Sequence, residues 1–348
     1  MVKFISILLS IFLIFSCSGK EVKSTATKKK VNNSGIKGSY PENSVVAKYG
    51  KLKVIGTKLC DSKGNPVQLM GMSTHDITTS YAYITPETIK YLATKWKIDI
   101  LRIAMYYDNE SYANKPEEVK STVKNIVDLC ETNGIYVIID WHTLSDKNPL
   151  KHKEKAKAFF KEMSYLYGEK DHVIYEICNE PNGEEVKWKN AIKPYAMEVI
   201  PIIREHDDDA IILVGTATWS QDIEEPVLDP LPFDNVMYVF HFYANTHKQE
   251  LRDRVLSVVD KIPLFCSEWG TTGSTGLSGF NPEESTKWLK LLAEYKISWC
   301  NWAFWAAVDD CAAINISKIK AGSLESGEID DKMLSKSGRF VRDWLTNR

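Results

Sequence analysis

Two glutamates, Glu180 and Glu268, are the residues of this sequence best suited to paired acid–base chemistry. Each lies at or near the C-terminal end of a short apolar run, VIYEICNE (173–180) and PLFCSEWG (263–270). Cleavage of a glycosidic bond needs one protonated carboxyl group to release the leaving oxygen and one ionised carboxyl group to attack or to activate water. If the fold brings these two side chains together, this is the reaction class that we expect.

Further polar and aromatic residues lie at the ends of most other apolar runs. Arg102 lies in ILRIAM (100–105), where it could hold a carboxylate ionised through a charge-assisted hydrogen bond. Tryptophans offer flat apolar faces for stacking on sugar rings, and five are candidates: Trp141, Trp219, Trp269, Trp302 and Trp305. The remaining candidates are His75, His142, Asn179, His241 and Tyr243. A single strand-end carboxylate is usually a helix cap or a surface residue, but this combination indicates a site.

These residues need a fold that brings the ends of distant strands together. From Val67 onward, short runs rich in β-branched residues alternate with longer segments of helical period. This alternation predicts βα units with a parallel sheet. The runs are VQLMGMS (67–73), ILRIAM (100–105), YVIIDWH (136–142), VIYEICNE (173–180), IILVG (211–215), VMYVFHFY (236–243), PLFCSEWG (263–270) and SWCNWAFW (298–305). We therefore predict a (β/α)₈ TIM barrel, in which strand ends converge at one mouth. A doubly wound open sheet is the alternative.

Helix and turn signals fit the same arrangement. Residues 85–87 and 281–284 are typical helix starts with a capping residue and a proline. Between residues 116 and 131, apolar residues recur at the spacing of one helix face: Val119, Val123, Ile126, Val127 and Cys130. Before the barrel, two strand-like runs flank residues 61–65. They predict a β-hairpin with its loop there, placed at the bottom of the barrel.

The N-terminus predicts export. Lys3 precedes an unbroken apolar run over residues 4–15, which is too short for a comfortable membrane span and typical of a signal peptide. The run ends at Ser16-Cys17, which resembles a bacterial lipoprotein signal. We predict a lipoprotein signal peptide over residues 1–17 and a lipid anchor on Cys17. An ordinary cleaved signal with an incidental cysteine, or a retained membrane anchor, is the alternative.

A polar tether is predicted over residues 18–44, followed by one catalytic domain over residues 45–348. The tether carries six lysines against two glutamates and is otherwise dominated by small polar residues, so it cannot bury enough apolar surface to order itself. The expected location is the cell envelope or cell surface, or otherwise the medium. The expected partners are a polysaccharide and, through the anchor, a membrane, and we expect a monomer.

Charge and cysteine spacing argue against several other partners. The whole chain has a formal charge of −2 although its tether is basic, so the folded part is acidic and unsuited to nucleic acid. The six cysteines after Cys17 lack the C-x-x-C spacing of zinc sites. We expect neither a metal nor a cofactor. Cys266 and Cys300 lie in neighbouring predicted strands, where a disulfide could form.

Two other enzyme classes on the same barrel fit the sequence less well. A phosphate-handling isomerase or aldolase would use glycine-rich loops after strands seven and eight. Glycines between residues 270 and 279 leave some room for it, but the loop after strand eight is rich in tryptophan, alanine and aspartate. A metal-dependent hydrolase would cluster its histidines in patterns such as H-x-H or H-E-x-x-H, and the candidate histidines come from separate strands.

Seven strings in order resemble glycoside hydrolase family 5, especially its bacterial endo-β-1,4-glucanase branch. They are GMSTH (71–75), LRIAMYY (101–107), VIIDWH (137–142), VIYEICNEPNG (173–183), VFHFYA (239–244), FCSEWGT (265–271) and NWAFW (301–305). The resemblance implies cleavage of internal β-1,4 bonds of cellulose or mixed-linkage β-glucan. A β-mannanase or xylanase is the alternative among enzymes, and a catalytically weak sugar-binding surface lipoprotein is the alternative outside them.

The resemblance also implies the roles of the two glutamates. Glu180 would be the acid/base and Glu268 the nucleophile of a retaining mechanism. Arg102 and Tyr243 would support that nucleophile.

Five further residues would contact the substrate or the acid/base. Asn179 would bind the 2-hydroxyl of the sugar at the cleavage point, and His142 would line the same subsite. His241 would contact the acid/base, and Trp302 would be the sugar platform. His75 matches a position near the next sugar outward.

Two departures from the family leave the outer sugar subsites open. Relatives follow the histidine of GMSTH with a string like Gly-Leu-Gln-Trp, which carries a sugar-stacking tryptophan, whereas residues 76–80 are DITTS. Tyr81 or Tyr83 could substitute. Relatives also place a lysine and an acid after the position of Trp302, and residues 303–310 contain no lysine. The substrate preference therefore stays open.

Overall fold

Eight parallel strands form a closed barrel. The computed structural model describes residues 38–107, 111–277, 279–308 and 310–348. In chain order the strands are β1 (Lys53–Ile55), β2 (Lys58–Cys60), β3 (Met70–Thr74), β4 (Ile100–Tyr106), β5 (Tyr136–His142), β6 (Val173–Glu176), β7 (Ile212–Gly215), β8 (Val236–Tyr243), β9 (Leu264–Gly270), β10 (Trp299–Phe304), β11 (Ala306–Ala307) and β12 (Ile314–Asn315). Strands β3 to β10 pair in sequence, and β10 closes the barrel on β3. The predicted (β/α)₈ barrel is confirmed, and the open sheet is excluded because closure leaves no edge strand.

The helices in chain order are α1 (Val45–Tyr49), α2 (Pro86–Tyr91), α3 (Pro116–Asn133), α4 (Lys153–Tyr167), α5 (Lys193–Arg204), α6 (Ala217–Ser220), α7 (Glu225–Leu228), α8 (Gln249–Val258), α9 (Pro282–Glu294), α10 (Ser323–Ser326) and α11 (Lys336–Thr346). Helices α2 to α9 lie between successive strands of the barrel, α1 precedes β1, and α10 and α11 follow β12. Short 3₁₀ turns occupy Tyr81–Tyr83, Pro149–His152 and Ile316–Lys318, and π-helical turns occupy Leu92–Trp96 and Trp188–Ile192.

The predicted elements lie close to the observed ones. Strands β5 and β8 coincide with the predicted runs. Strand β6 begins where predicted but ends at Glu176, four residues before the end of its predicted run. The five residues predicted as one face of α3 are all buried. The helix ends where Gly134 takes a φ of 64°, a left-handed conformation that glycine adopts without strain. Thr85 and Asn281 cap α2 and α9 as predicted.

The N-terminal half of the barrel interior is apolar. Ten of its residues, which we call the lower tier, belong to one buried cluster: Ile100, Tyr136, Ile138, Ile174, Ile211, Leu213, Met237, Val239, Phe265 and Cys300. The segment before the barrel contributes Val46, Leu52, Leu59 and Val67 to the same cluster. This segment therefore closes the bottom of the barrel, where the hairpin was expected.

The predicted reversal at residues 61–65 is present, since Cys60 and Pro66 pair across it as an antiparallel bridge, and an unpredicted tight turn precedes it. Ile55 pairs with Lys58, so the tight turn between β1 and β2 is at residues 56–57, where Gly56 has a φ of 59°. Residues 61–65 form a second reversal, which the Asp61 carboxylate holds by accepting from the backbone N–H groups of Lys63 and Asn65. Both positions carry turn-forming residues, but the pattern of strand-like runs predicts only the reversal at residues 61–65.

The last residues of the predicted tether (18–44) contact the folded domain. The Tyr40 hydroxyl accepts from the backbone N–H of Asp171 at 3.0 Å and lies 3.1 Å from Nδ1 of His172. Ser44 caps α1 through its side chain. A tyrosine can bury its ring while its hydroxyl is paired, and one such residue docks the end of a polar segment. The signal peptide, Cys17 and residues 18–37 lie outside the described residues.

Among the described residues, no helix is both long and apolar enough to cross a membrane. The six cysteines after Cys17 are all buried and free. Cys266 belongs to the cluster outside the barrel and Cys300 to the lower tier inside it. The bridge considered between these two residues is therefore not formed.

Candidate active site

Charged residues replace apolar ones in the C-terminal half of the barrel interior. Because side chains alternate along a strand, residues two positions apart face the same side. Arg102, Asp140 and Glu176 each follow a lower-tier isoleucine by two positions. All three are fully buried. Together with Ser267 and Glu268 we call them the upper tier.

A β-bulge brings two consecutive residues of β9 into the upper tier. Val239 on β8 pairs with Phe265, but His241, two residues later, pairs with Glu268, three residues later. Strand β9 thus carries one extra residue, which breaks the regular alternation. Ser267 and Glu268 both face the interior as a result, since Ser267 contacts Glu176 and Glu268 contacts Arg102.

Arg102 is the centre of the upper tier. Its Nε and Nη2 donate to the two carboxylate oxygens of Glu176 at 2.8 and 3.0 Å, and its Nη1 donates to Glu268 Oε2 at 3.1 Å. Nη2 also donates to Asn179 Oδ1 at 2.6 Å and lies 2.9 Å from Asp140 Oδ2. One cation thus serves three carboxyl groups. Burial raises the pKa of Asp140 to about 8, and the nearby Arg102 opposes this shift.

Glu268 is held at both carboxylate oxygens. The Tyr243 hydroxyl donates to Oε1 at 2.7 Å, and Arg102 donates to Oε2 at 3.1 Å. Only 4% of the residue is exposed. Donors of this kind stabilise a carboxylate and fix its orientation.

Glu180 lies in a different environment. Its Oε1 is 2.8 Å from Nδ1 of His241. Burial raises the pKa of Glu180 to about 8, Arg102 opposes this shift, and the charges of Asp140 and Glu176 add to it. Burial also lowers the pKa of His241 to about 4. At neutral pH, Glu180 therefore holds a proton and His241 is uncharged.

The two glutamates are close enough to act on one bond. One carboxylate oxygen of Glu180, one of Glu268 and a ring nitrogen of His241 all lie within 4.8 Å of one another. Two chemically identical side chains thus share a small space in different surroundings, since two donors hold the carboxylate of Glu268 and burial raises the pKa of Glu180. This is the arrangement that an acid and a nucleophile require.

A second set of contacts fixes Asn179 between the tier and the cleft. Its Nδ2 donates to the backbone carbonyl of Thr143 at 3.1 Å and lies 3.2 Å from Nε2 of His142. Nδ1 of His142 is 2.7 Å from Asp140 Oδ2. Burial lowers the pKa of His142 well below its usual value. The amide oxygen of Asn179 consequently faces Arg102, and contacts with Arg102, Thr143 and His142 set the orientation of the amide.

A cleft of about 530 Å³ opens above the upper tier. Its lining residues are His75, Tyr106, His142, Leu144, Glu180, Trp219, Gln221, His241, Tyr243, His247, Glu268, Ser274, Thr275 and Trp302. One wall is aromatic: the rings of His75 and Trp305 stack at 3.9 Å, those of Tyr106 and His142 at 4.1 Å, and those of His142 and Trp302 at 5.4 Å. The peptide bond after Trp302 is cis. Flat apolar faces and buried polar groups thus border the same space.

Trp219 stands apart from this wall. It is the middle residue of three consecutive left-handed residues, Thr218, Trp219 and Ser220, whose φ values are 56°, 54° and 56°. The backbone N–H of Trp219 donates to the backbone carbonyl of Pro181 at 3.1 Å. Ser220 Oγ donates to the backbone carbonyl of Asn179 at 2.7 Å. The residue is 47% exposed. This turn is therefore tied to the segment that carries Glu180 and presents an indole to the cleft.

Comparison with known proteins assigns the chain to one family. The model for cellulase, glycosyl hydrolase family 5, matches residues 60–308. The chain belongs to glycosyl hydrolase family 5.

Bacterial endoglucanases are among its relatives. The endoglucanase of Clostridium saccharobutylicum is 45% identical over 294 residues, which are 84% of this chain and 64% of that protein. Endoglucanase A of Evansella cellulosilytica is 46% identical over 281 residues, 80% of this chain and 56% of that protein. The chain thus spans less than two thirds of the length of these two curated relatives. The catalytic domain of Thermobifida fusca endoglucanase Cel5A in complex with cellotetraose has a TM-score of 0.83 at 36% identity, covering 87% of this chain and 99% of that one.

The barrel of this family 5 chain brings most of the predicted site residues together. They lie in the cleft or directly beneath it: His75, Arg102, His142, Asn179, Glu180, His241, Tyr243, Glu268 and Trp302. Trp219, considered as a sugar platform, also lines the cleft.

Two tryptophans predicted to face sugars do not reach the cleft. Trp141 is fully buried and packs against Phe159 and Phe160 of α4 at ring distances of 5.6 and 6.4 Å. Trp269 is fully buried and stacks on Phe242 at 5.4 Å. Both follow an inward-facing residue by one position, so they point to the helices outside the barrel. Their assignment to the substrate site is therefore wrong.

Three buried residues of the family 5 site are not among those predicted: Asp140, Glu176 and Ser267. A signal exists for the first two, because an acidic residue inside the apolar strings YVIIDWH and VIYEICNE must be buried with a partner. Ser267 has no such signal. Tyr106, Gln221 and His247 line the cleft and are likewise unpredicted.

The loop after β3 is held by its own side chains. Asp76 Oδ1 accepts from the backbone N–H of Thr78 at 3.0 Å, and Oδ2 accepts from the Thr78 hydroxyl at 2.7 Å. Tyr83 is partly buried and packs against the core, so it does not replace the missing aromatic. In the described residues, the aromatic ring stacked on His75 at 3.9 Å is Trp305.

Proposed function

We propose that this chain is a retaining endo-β-1,4-glucanase that hydrolyses internal bonds of cellulose or mixed-linkage β-glucan. The observation that carries the proposal is the pair Glu180 and Glu268, with carboxylate oxygens within 4.8 Å and opposed surroundings. A separation of about 5–5.5 Å is typical of retaining glycosidases, whereas inversion needs about 6.5–9.5 Å to admit a water. Relatives that are named endoglucanases support the substrate class.

In the first step, Glu268 attacks the anomeric carbon of the sugar at the cleavage point. The bond from that carbon to the glycosidic oxygen breaks, and Glu180 gives its proton to the departing oxygen. Glu268 becomes an ester of the sugar, and Glu180 becomes a carboxylate. The raised pKa of Glu180, about 8, keeps the proton available for this step at neutral pH.

In the second step, Glu180 acts as a base. It takes a proton from a water molecule, whose oxygen attacks the anomeric carbon and releases the Glu268 carboxylate. Two successive displacements at one carbon restore its original configuration. Both glutamates return to their starting protonation states, and one water is consumed for each bond cut.

The neighbouring residues support these steps. Arg102 and Tyr243 position Glu268 through the contacts at 3.1 and 2.7 Å and stabilise it as it leaves. Membership of the family implies that Asn179, directly beneath the cleft, binds the 2-hydroxyl of the sugar, where hydrogen bonds strengthen in the transition state. His142 and Trp302 stack beside each other and line the space for that sugar ring.

The reaction can be tested on four polymers in parallel. We expect the protein to lower the viscosity of barley β-glucan and carboxymethylcellulose faster than it releases reducing ends, since internal cuts shorten chains most. ¹H NMR should show the β-anomer as the first product. Cleavage of mannan or xylan with no cleavage of either glucan would refute the substrate, and binding of glucan with no hydrolysis would indicate a sugar-binding protein.

We infer further that the chain is exported and anchored in the cell envelope through a lipid on Cys17. The support is the apolar run over residues 4–15, which stops directly before Ser16-Cys17. One acyl chain binds membranes only marginally, so stable anchoring requires a second or third chain. Intact-mass analysis of membrane-extracted protein should give a chain that begins at residue 17 with added acyl mass. A Cys17→Ser control should lose that mass, and wild-type protein cleaved elsewhere without acyl mass would refute the anchor.

A further inference from the structure

A chain of hydrogen bonds runs from Glu180 to the upper tier. Nδ1 of His241 is 2.8 Å from Glu180 Oε1, and Nε2 of the same ring is 2.9 Å from Ser267 Oγ. Ser267 Oγ in turn lies 2.8 Å from Glu176 Oε1. These residues are at most 8% exposed. Bulk solvent has little access to these contacts, so the positions of the protons follow mainly from the chemistry of the groups.

Glu176, at the end opposite Glu180, determines which group donates and which accepts in this series of hydrogen bonds. Burial raises the pKa of Glu176, and Arg102 opposes the shift. Both oxygens of Glu176 accept from Arg102, at 2.8 and 3.0 Å, and this bidentate contact favours the ionised form. A carboxylate accepts and never donates. Ser267 must therefore point its only hydroxyl hydrogen at Glu176.

The positions of the hydrogens on His241 and Glu180 then follow from that of the Ser267 hydroxyl hydrogen. Since Ser267 has used its hydrogen, its oxygen can only accept from His241, and Nε2 must carry a hydrogen. A neutral imidazole has one N–H, so Nδ1 presents a lone pair to Glu180. A lone pair is satisfied by a donor, and the donor available at 2.8 Å is the protonated carboxyl of Glu180.

We propose that Ser267 is a positioning residue that fixes the tautomer of His241 and thereby keeps the proton on Glu180 until the glycosidic oxygen takes it. The proposal rests on the acid/base role of Glu180 proposed above. Once ionised, Glu180 faces the lone pair of Nδ1, which disfavours the carboxylate and returns it to the acid form when water is deprotonated. The β-bulge is what makes this possible, because it places Ser267 inside the barrel directly next to Glu268.

The opposite tautomer would have the opposite effect. With hydrogen on Nδ1, His241 would donate to an ionised Glu180 and lower its proton affinity. The other charged or titratable groups that face this pair are Arg102, Tyr106, Asp140, Glu176, Tyr243, His247 and Glu268. Ser267→Ala leaves all of these side chains in place and removes the acceptor that holds hydrogen on Nε2, together with the hydrogen bond that Ser267 donates to Glu176.

The pH dependence of kcat/KM on barley β-glucan tests the proposal, because this neutral polymer does not titrate. In Ser267→Ala, the basic limb of the profile should move down by about one pH unit, the size of one hydrogen bond's contribution. Ser267→Thr keeps the hydroxyl and should restore the wild-type limb. Ser298→Ala is the matched control, since Ser298 is equally buried but accepts from the Leu69 N–H at the base of β10. A Ser267→Ala limb that coincides with wild type, or moves up, overturns the proposal.

¹⁵N NMR of histidine-labelled wild-type protein tests the tautomer directly and needs no turnover. The His241 signals, identified by their loss in His241→Asn, should show a protonated Nε2 and an unprotonated Nδ1. A protonated Nδ1 overturns the proposal even if glucan is hydrolysed as expected. Failure to hydrolyse any glucan would instead refute the proposed function, while the tautomer would still be measured. If Ser267→Ala does not fold, the wild-type spectrum decides.

Discussion

The two halves of the barrel interior differ in the polarity of their side chains and in how those side chains affect stability. The lower tier is made of isoleucines, other apolar residues and one tyrosine, and the N-terminal segment covers it. The upper tier, two residues further along the same strands, holds one arginine, three acidic groups and a serine, all buried. Apolar burial stabilises a fold without needing partners, whereas buried charges cost stability unless each is paired.

This difference shows how one strand can serve both stability and chemistry. Strand β5 places Ile138 in the lower tier and Asp140 in the upper tier, at consecutive interior positions. The lower position is expected to contribute to the free energy of unfolding, and the upper position to the protonation and orientation of the glutamates. Changes in the two tiers should therefore separate stability from activity.

Glu268→Ala should abolish turnover while leaving the protein folded. Loss of a nucleophile lowers kcat by about 10⁴ to 10⁶. Added azide should restore cleavage of an aryl cellobioside and give the inverted glycosyl azide, because only one displacement then occurs. Glu180→Ala with azide should instead give the retained product, since the ester with Glu268 still forms on an activated substrate. Opposite outcomes for the two variants would exchange their roles.

Arg102→Lys should reduce both stability and activity. A lysine cannot reproduce the fork that joins Glu176, Glu268 and Asn179, and an incompletely paired buried charge costs about 3–5 kcal/mol. Urea unfolding and kcat/KM on barley glucan measure the two losses. The control is Arg252→Lys, since Arg252 is 5% exposed and pairs with Glu284 at 2.8 Å away from the cleft residues. Equal losses of activity in the two variants would contradict the central role of Arg102.

Ile138→Ala in the lower tier should reduce stability alone. Truncating a buried isoleucine costs about 2–5 kcal/mol through lost apolar burial and the cavity left behind. Urea unfolding measures the loss, and kcat per folded molecule should stay near that of the wild type. If kcat fell as much as in Arg102→Lys, the two tiers would not be separable.

Glu180→Gln should make the protein more stable, by an amount that depends on pH. The pKa of Glu180 lies at about 8 in the fold, above its ordinary value of 4.5. The stability from its neutral form is therefore full below about pH 4.5 and is lost as pH rises through about 8. Glutamine stays neutral, so the gain in Tm should grow over this window to about 2 °C or more. Exposed Glu250→Gln on α8 should show no such growth, and a gain equal at all pH values would exclude titration as its cause.

The barrel is predictable from sequence because its signals are repeated. Eight apolar runs alternate with segments of helical period, and closure then follows from the number of units. The ends of the fold carry weaker signals. Tyr40 docks on Asp171 and His172 although its neighbours are polar, and one aromatic residue does not change the composition of a segment.

The site is predictable wherever a residue's chemistry is visible at a strand end. Glu180 and Glu268 satisfy that condition. Trp141 also lies at a strand end, but side chains alternate along a strand, so Trp141 points to the helices and not to the cleft. The role of Ser267 cannot be predicted from the sequence, for a different reason. Its inward position depends on a bulge, and the bulge depends on how β9 pairs with its neighbours, which no local pattern records.

The left-handed turn that carries Trp219 has a thermodynamic consequence for recognition. Three consecutive residues with positive φ are held by contacts to Pro181 and Asn179, and each such residue stores about 1–3 kcal/mol. Folding carries this cost in free energy, so ligand binding does not. The indole is therefore preorganised, and a ring that meets it loses less conformational entropy to ordering than it would on a flexible loop.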